Sequence, residues 1–333
     1  MKLKYIIPAI ILAGGIMTLT ALASSTPQKL RSLFNIQQAY CAIKTNGVIG
    51  YDNRDSAWRG RGGGISSTNA LMLMENGENV ISLEIGALNW FSDKPLSPEE
   101  RGHFDPQSAC SLELVRFNGQ EKQTMSSIKV TISPQGLPEA QTNSSHPITR
   151  TKILAEQVIP GHIDPDYFDS TYFPQGMVLY RFTQKVTVSG IPEWAWVKAE
   201  PFTGGSEQIQ KLRAAYSEMA RIINSRDRNR LKAYDKTALE AWSATTGDSE
   251  DEILLSQFAK NELEEGQAMI LPIKWENYDV RVMNKGRMVQ LYNKSDQTYS
   301  PLTYKYTDED GEEILGCYAP VFSLINGEFV PIT

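Results

Sequence analysis

Acidic side chains are the residues of this sequence whose types and spacing most suggest chemistry. Asp164, Asp166 and Asp169 lie close together and carry oxygen atoms of the kind that bind Ca²⁺. The spacing differs from that of an EF-hand, because no glycine stands at the sixth position and no glutamate at the twelfth. We therefore expect a solvated loop here, with a metal site as the alternative.

A second acidic group surrounds the Asp310-Gly311 pair. Asp-Gly is typical of a tight turn, so the sequence predicts a charged hairpin tip at this point. The side chains of Asp308, Glu309 and Asp310 are also candidates for contact with a basic protein partner, because opposite charges guide association.

Two tryptophans, Trp194 and Trp196, are separated by one residue. On a β-strand this spacing places both rings on one face. Such a pair can bind a sugar or a protein partner. The alternative is that both rings belong to the core of a β-sandwich, where tryptophan contributes a large apolar surface.

Catalytic and cofactor motifs are absent from the sequence. The three histidines, His103, His146 and His162, all precede residue 206, and no Cys-x-x-Cys pair occurs. The glycine-rich segment 59–64 lacks the Lys-Ser/Thr ending of a phosphate-binding loop. We therefore expect a protein without a cofactor and without enzymatic activity.

An enzyme with a pocket in the second half of the chain is the alternative. Tyr216, Trp242 and Asp279 are the residues that would line such a pocket. Tyr216 and Trp242 also fit a packed core, because aromatic residues at helical spacing are usually buried.

The three cysteines allow one disulfide. Cys41 and Cys110 both fall in the first half of the chain and can pair in an oxidising compartment, which leaves Cys317 unpaired and buried in a strand. Three unpaired thiols are the alternative.

Residues 1–23 have the pattern of a signal peptide. Lys2 and Lys4 precede the apolar run Tyr5–Leu22, and Ala21-Leu22-Ala23 fits the cleavage site. The alternative is an uncleaved inner-membrane anchor at residues 5–22, because the run approaches the ~18 residues that can span a bilayer. We expect an exported chain, which in a bacterium means the periplasm, and membrane contact only if the segment is uncleaved.

The charge of the chain bounds its partners. It has 33 Lys and Arg residues against 39 Asp and Glu residues, a formal net charge of −6. Two of the cations lie in the first 23 residues, so a chain without them has 31 cations and a net charge of −8. Because a nucleic-acid binder needs a basic face, the charge disfavours nucleic acid as a partner and leaves a basic protein open.

Residues 28–202 predict a β-sandwich of jelly-roll or galactose-binding-like type. Asn-Gly pairs, which favour tight hairpins, occur at residues 46–47, 76–77 and 118–119 between apolar runs. Residues 28–40 are expected to begin this region with a short helix, and Trp194–Val197 to end it with a strand.

Residues 206–333 predict an α+β domain. Apolar side chains three and four residues apart indicate a long helix that begins at Ser206; they are Ile209, Leu212, Tyr216, Met219 and Ile223. A capping box at Ser249 predicts another helix, and strands with period two follow Gly266. This order, with closing hairpins over residues 299–331, resembles the NTF2-like (cystatin-related) fold, which implies a curved antiparallel sheet around the long helix.

Together these features predict a mainly β plus α+β protein of two domains that is exported and binds another protein. An immunity protein that neutralises a secreted toxin is one concrete form of this hypothesis. A glycan-binding or accessory protein of the cell envelope is the second reading, and an enzyme is the third.

Overall fold

The protein is described here by a computed structural model that covers residues 29–141, 146–157, 173–294 and 299–333. Antiparallel sheets come first along the chain, and helices followed by further sheets come after residue 205. The predicted fold class, mainly β plus α+β, is confirmed. We refer to residues 29–202 as the first region and to residues 203–333 as the second region.

Two five-stranded antiparallel sheets form the first region. The strands are β1 (Lys29–Gln37), β2 (Tyr40–Thr45), β3 (Val48–Asp52), β4 (Gly64–Asn69), β5 (Gly77–Gly86), β6 (Ala109–Asn118), β7 (Glu121–Ile132), β8 (Pro138–Ala140), β9 (Ile148–Leu154) and β10 (Val178–Val188). One sheet has the order β4-β1-β6-β7-β8, and the other has the order β3-β2-β5-β10-β9.

Short helices lie between these strands. They are the α-helices α1 (Arg54–Trp58) and α2 (Pro98–Arg101) and the 3-10 helices Leu71–Leu73, Leu88–Phe91 and Ala195–Lys198. Helix α2 begins with a capping box between Ser97 and Glu100, within a segment that reads as a polar loop.

The prediction of a short helix over residues 28–40 was wrong, because this segment contains β1. Leu30, Ser32, Phe34 and Ile36 alternate with exposed or partly exposed residues, and all four are buried. This period of two is that of a strand with one face toward a core. The polar Ser32 among the inward positions hides the alternation in the sequence.

The core of the first region lies between its two sheets. Phe34 and Leu112 of one sheet and Leu83 and Phe182 of the other belong to the same cluster of buried side chains. A disulfide between Cys41 on β2 and Cys110 on β6 joins the two sheets across this core, with a Cα–Cα distance of 6.7 Å. The structure thus has a bridge rather than three unpaired thiols.

The hairpin turns predicted at the three Asn-Gly pairs are present in some cases and absent in another. Asn46 and Gly47 both have positive φ and connect β2 to β3, as expected for a type I′ turn. Gly119 provides the positive φ between β6 and β7. Gly77, however, starts β5 after a 3-10 helix, so the hairpin predicted at residues 76–77 was wrong.

Five α-helices begin the second region. They are α3 (Ser206–Ser225), α4 (Arg228–Tyr234), α5 (Lys236–Thr246), α6 (Glu250–Gln257) and α7 (Lys260–Leu263). Leu212, Tyr216, Met219 and Ile223 of α3 are buried on one face, as their spacing predicts, whereas Ile209 near its start is half-buried. The capping box at Ser249 forms with Glu252 at the start of α6.

Two further antiparallel sheets complete the second region. Their strands are β11 (Met269–Ile270), β12 (Tyr278–Met283), β13 (Met288–Asn293), β14 (Leu302–Thr307), β15 (Glu313–Tyr318), β16 (Phe322–Ile325) and β17 (Glu328–Pro331), with 3-10 turns at Trp275–Asn277 and Asn284–Gly286. The orders are β11-β14-β15 and β12-β13-β16-β17. Helix α3 contacts β11, β14 and β17 and so packs against both sheets.

The two separate sheets differ from the single curved sheet that was predicted. Tyr216 of α3 lies between them, where its hydroxyl accepts a hydrogen bond from the Leu291 amide and donates one to the Pro320 carbonyl, both at 3.1 Å. Pro320 follows β15 and has no amide hydrogen with which to continue a ladder. A side chain from the helix therefore satisfies backbone groups that a continuous sheet would pair.

Within the ranges that the structure describes, no helix has both the length and the apolar character needed to cross a membrane.

We expect the Cys41–Cys110 disulfide to contribute measurably to the free energy of unfolding. Replacing Cys41 and Cys110 together by alanine should lower the free energy of unfolding by about 4 kcal/mol, because the bridge closes a loop of 69 residues in the unfolded chain. Urea unfolding monitored by tryptophan fluorescence gives the value. Cys317→Ala is the matched control and should leave the midpoint unchanged; equal midpoints for all three proteins would contradict this prediction.

Candidate partner-binding surface

Trp194 and Trp196 do not form an exposed pair. Trp196 lies in a 3-10 turn and Trp194 immediately precedes it, so neither is on a strand, and the two residues are only 7% (Trp194) and 2% (Trp196) exposed. Each indole Nε1 donates a hydrogen bond to a backbone carbonyl, Trp194 to Leu71 at 2.8 Å and Trp196 to Met72 at 2.9 Å. The prediction of a paired tryptophan face was wrong, because these rings anchor the end of the first region to its core.

Arg287 joins the two regions beside these rings. Its guanidinium donates hydrogen bonds to both carboxylate oxygens of Glu75, at 2.6 and 2.8 Å, and another to the Val197 carbonyl at 3.1 Å. Its Cζ atom lies 5.1 Å from the centre of the Trp196 ring. The side chains of Arg287 and Glu75 are 13% and 14% exposed, so their charges attract in a setting with little water.

Backbone hydrogen bonds extend this contact, which we call the seam. The Asn284 amide donates to the Asn46 carbonyl at 3.0 Å, and the Phe202 amide donates to the Gly286 carbonyl at 2.8 Å. Met283, Met288, Val321 and Ile332 of the second region are also buried in the core cluster of the first.

A cavity of about 320 Å³ lies at the seam. Trp194, Trp196, Ala241 and Ile332 contribute to its lining, together with acidic residues such as Glu193. Because Glu193 is paired with Lys198 at 3.0 Å and both indole N–H groups are already bonded, the cavity offers few free polar groups. It is therefore a weaker candidate for a ligand or partner than the surface described next.

The loop between β14 and β15, together with the first residue of β15, carries a cluster of acidic side chains, which we call the acidic tip: Asp308, Glu309, Asp310, Glu312 and Glu313. The Asp308 carboxylate accepts hydrogen bonds from the amides of Asp310 and Glu312, at 3.0 and 2.8 Å, which fixes the turn. Among the described residues, only Lys305 forms an ion pair with this tip, through Glu313 at 2.8 Å. The prediction of a charged hairpin tip is therefore correct.

Strand β15 leads directly from the acidic tip and lies at the edge of its sheet. Leu315 is 51% exposed, and the free thiol of Cys317 is also exposed rather than buried as predicted. Met269 on β11, 48% exposed, pairs with Lys305, which pairs with Leu315. The outer face of this sheet therefore carries two apolar side chains in one row next to the acidic tip.

Beneath β15, Asp235 is fully buried at the junction of α4 and α5. Its Oδ2 accepts a hydrogen bond from the Tyr318 hydroxyl at 3.1 Å, whereas its Oδ1 has no hydrogen-bond partner among the described residues. Burial raises the pKa of Asp235 from its ordinary value of 3.8 to about 7, because a charged carboxylate is poorly solvated there, although the hydrogen bond acts in the opposite direction.

The three residues proposed for an enzymatic pocket do not form one. Tyr216 is fully buried and uses its hydroxyl within the core, and Asp279 is exposed on β12. Trp242 lines a different cavity of about 240 Å³ between α5 and α6. The structure therefore gives no support to an enzymatic site at these residues.

The candidate metal site cannot be compared with the structure, because Asp164, Asp166 and Asp169 lie outside the described residues. Within the described ranges, no group of three or more His, Cys, Asp or Glu side chains is arranged to hold a metal ion.

Comparison with known proteins adds no relative. No protein-family model, no characterised protein and no solved structure matches this chain. The NTF2-like resemblance of residues 206–333 therefore stays a prediction.

Sequence reasoning missed the ion pair of the seam. Glu75 and Arg287 are 212 residues apart, and neither stands in a recognisable motif. The buried carboxyl of Asp235 was missed for a related reason, because aspartate between two helices is ordinarily an exposed cap. Only the packing of distant elements shows either one.

We expect the stability of the protein to fall when the Glu75 charge is removed from its ion pair with Arg287. Glu75→Gln should lower the free energy of unfolding at pH 7 by about 2 kcal/mol, because it leaves the Arg287 charge largely removed from water and without its carboxylate partner. The hydrogen bonds from Arg287 lower the pKa of Glu75, so this contribution is present above its ordinary pKa of 4.5 and is lost as the pH falls through the lowered value. Urea unfolding at pH 7 measures the loss.

The matched control for this prediction is Glu78→Gln, which removes an exposed partner of Lys185. It should change the free energy of unfolding by less than about 0.5 kcal/mol. Equal losses in the two variants would show that the Glu75–Arg287 pair has no special role.

We expect the buried carboxyl of Asp235 to make the stability of the protein depend on pH. Since its pKa is higher in the folded protein than its ordinary 3.8, the folded state is favoured at low pH, and this advantage is lost as the pH rises to about 7. Asp235→Asn does not ionise, so the stability of the variant relative to wild type should rise by about 4 kcal/mol between pH 4 and pH 8. Urea unfolding across this range measures it; a pH-independent difference would contradict the assignment.

Proposed function

We propose that this chain is an exported, non-enzymatic protein that binds a basic partner protein through the acidic tip and the neighbouring edge of β15. The observation that carries the proposal is the imbalance of charge at the tip. Four acidic side chains lie in the turn and a fifth, Glu313, begins β15; among the described residues, Lys305 is the cation paired with them. Such a concentration of one charge favours association with a surface of the opposite sign.

Two further features support the part of this proposal that concerns export. The Cys41–Cys110 disulfide is of a kind that persists in oxidising compartments, which agrees with the export pattern of residues 1–23. The net charge of −8 expected after cleavage suits a chain that meets a basic protein outside the cytoplasm. An immunity protein that blocks a delivered toxin fits this combination.

The alternative functions have less support. A glycan-binding role depended on an exposed pair of tryptophans, and Trp194 and Trp196 are buried with their N–H groups bonded. An enzymatic role depended on a shared pocket, and Tyr216 and Asp279 lie in different surroundings.

The proposal is tested with a charge variant of the tip. Glu309→Gln, Asp310→Asn and Glu312→Gln together remove three charges but keep Asp308, which holds the turn. The chain from residue 24 is immobilised, and proteins retained from a lysate of its own organism are identified by mass spectrometry. We expect a basic protein that the wild type retains and the tip variant loses, because the charges that attract it are gone.

The matched control carries the same number of neutralised charges elsewhere: Asp93→Asn, Glu99→Gln and Glu121→Gln, all exposed in the first region. It should retain the same protein as the wild type. Co-expression of the captured protein with the exported chain then asks whether growth is protected. Equal capture by the tip variant and the control would remove the tip from the proposal.

A further inference from the structure

The edges of β-sheets expose unpaired backbone groups, and proteins protect them in recognisable ways. Here β8 has three residues and contains Pro138, and β11 has two residues. Charged side chains lie within β9, at Arg150 and Lys152, and within β12, at Asp279 and Arg281.

The remaining edges of the sheets also have neighbours, with one exception. A β-bulge disturbs the pairing of β3 with β2, β17 ends in Pro331 and contacts α3, and β4 packs against Gly50 of β3 through Thr68. Among the residues that the structure describes, no such feature protects strand β15. Its six residues pair with β14 without a bulge, and after Glu313 they carry no charge and no proline.

The unprotected edge of β15 has the length needed for strand addition. In an antiparallel pair, alternate residues direct both their N–H and C=O groups to the same side, so six residues offer about three such positions to a new strand. Tyr304 packs against Gly316 on the inner face, where an added Cβ would come within 2.3 Å of the ring. The strand is thus supported from inside, and no strand within the described ranges pairs with its outer edge.

We propose that β15 accepts an extended, basic segment of the partner protein as an additional strand of the sheet β11-β14-β15. This inference rests on the proposed function and specifies how the partner is recognised. Backbone hydrogen bonds hold the segment, its cations face the acidic tip, and an apolar side chain packs on Leu315. The chemical class of the partner segment is therefore alternating basic and apolar residues in an extended conformation.

Charge complementarity decides between this occupant and a second copy of the chain. The residues of β15 include no cation, so a second copy paired antiparallel would place an uncharged strand end beside the acidic tip. A basic segment places opposite charges there, which accelerates binding and selects the partner.

Cys317 provides a direct readout on the strand itself. Cys41 and Cys110 are bonded to each other, so Cys317 is the free thiol that N-ethylmaleimide can alkylate. The probe is a capped nine-residue peptide of alternating lysine and valine, added to the folded chain from residue 24. We expect saturating peptide to slow alkylation at least about 5-fold and to slow hydrogen exchange of the β15 amides, because an added strand covers both.

Two control peptides separate strand addition from charge attraction alone. The first keeps every lysine but carries N-methyl groups on alternate backbone amides, which removes hydrogen-bond donors from one edge; both registers of methylation are made. At least one should protect Cys317 no more than buffer does. The second replaces lysine by glutamate and should not bind. The tip variant should weaken binding of the lysine peptide about 10-fold at low salt, and the control variant should not.

Each result has one meaning. Equal protection by the lysine peptide and both methylated forms would overturn strand addition, as would unchanged alkylation at saturation. Protection that rises with protein concentration without peptide would show a second copy at β15 and overturn the basic occupant. If capture of the partner requires the acidic tip but Cys317 stays reactive in the complex, the proposed function stands and strand addition is wrong. If the tip variant captures the partner as well as the wild type does, the proposed function itself is wrong.

Discussion

The ion pair between Arg287 and Glu75 is the interaction on which the arrangement of the two regions depends. Arg287 reaches Glu75, the Val197 carbonyl and the Trp196 ring at once, so it ties the end of the first region to a turn of the second. A planar guanidinium suits this position because it can bond to a carboxylate and stack on an aromatic ring simultaneously. Both tryptophans at the seam are consequently structural, and the surface that we propose for partner binding lies elsewhere.

Within the described ranges, the second region combines a buried core with a strand, β15, whose outer edge pairs with no other strand. Tyr216 uses its hydroxyl to bond one backbone group of β13 and one of the connection between β15 and β16, where the two sheets separate. Separation makes β15 an edge strand, and the acidic tip follows from the turn that precedes it. The proposed binding surface therefore arises from how the sheet ends, whereas the seam cavity between the regions offers few free polar groups.

Local patterns predicted much of this fold. The period of α3, the capping box of α6 and the closing hairpins over residues 299–331 follow from side-chain spacing and turn residues. The hydrophobic patterns in the sequence were misleading where the buried positions did not coincide with the apolar residues. A buried Ser32 disguises β1, and the wholly buried run 70–74 forms a 3-10 turn where a strand was expected. The acidic tip was predicted from Asp-Gly, but the edge beside it depends on long-range pairing that spacing does not report.

The core of the first region is completed from far along the chain. Val321 and Ile332 lie in that core, although they follow it by more than a hundred residues. A ribosome or an export channel releases the chain from its amino end, so the sandwich strands emerge long before these side chains do. During that interval the nascent first region exposes an apolar patch, which makes it a natural substrate for holding chaperones and for proteases that remove incomplete chains.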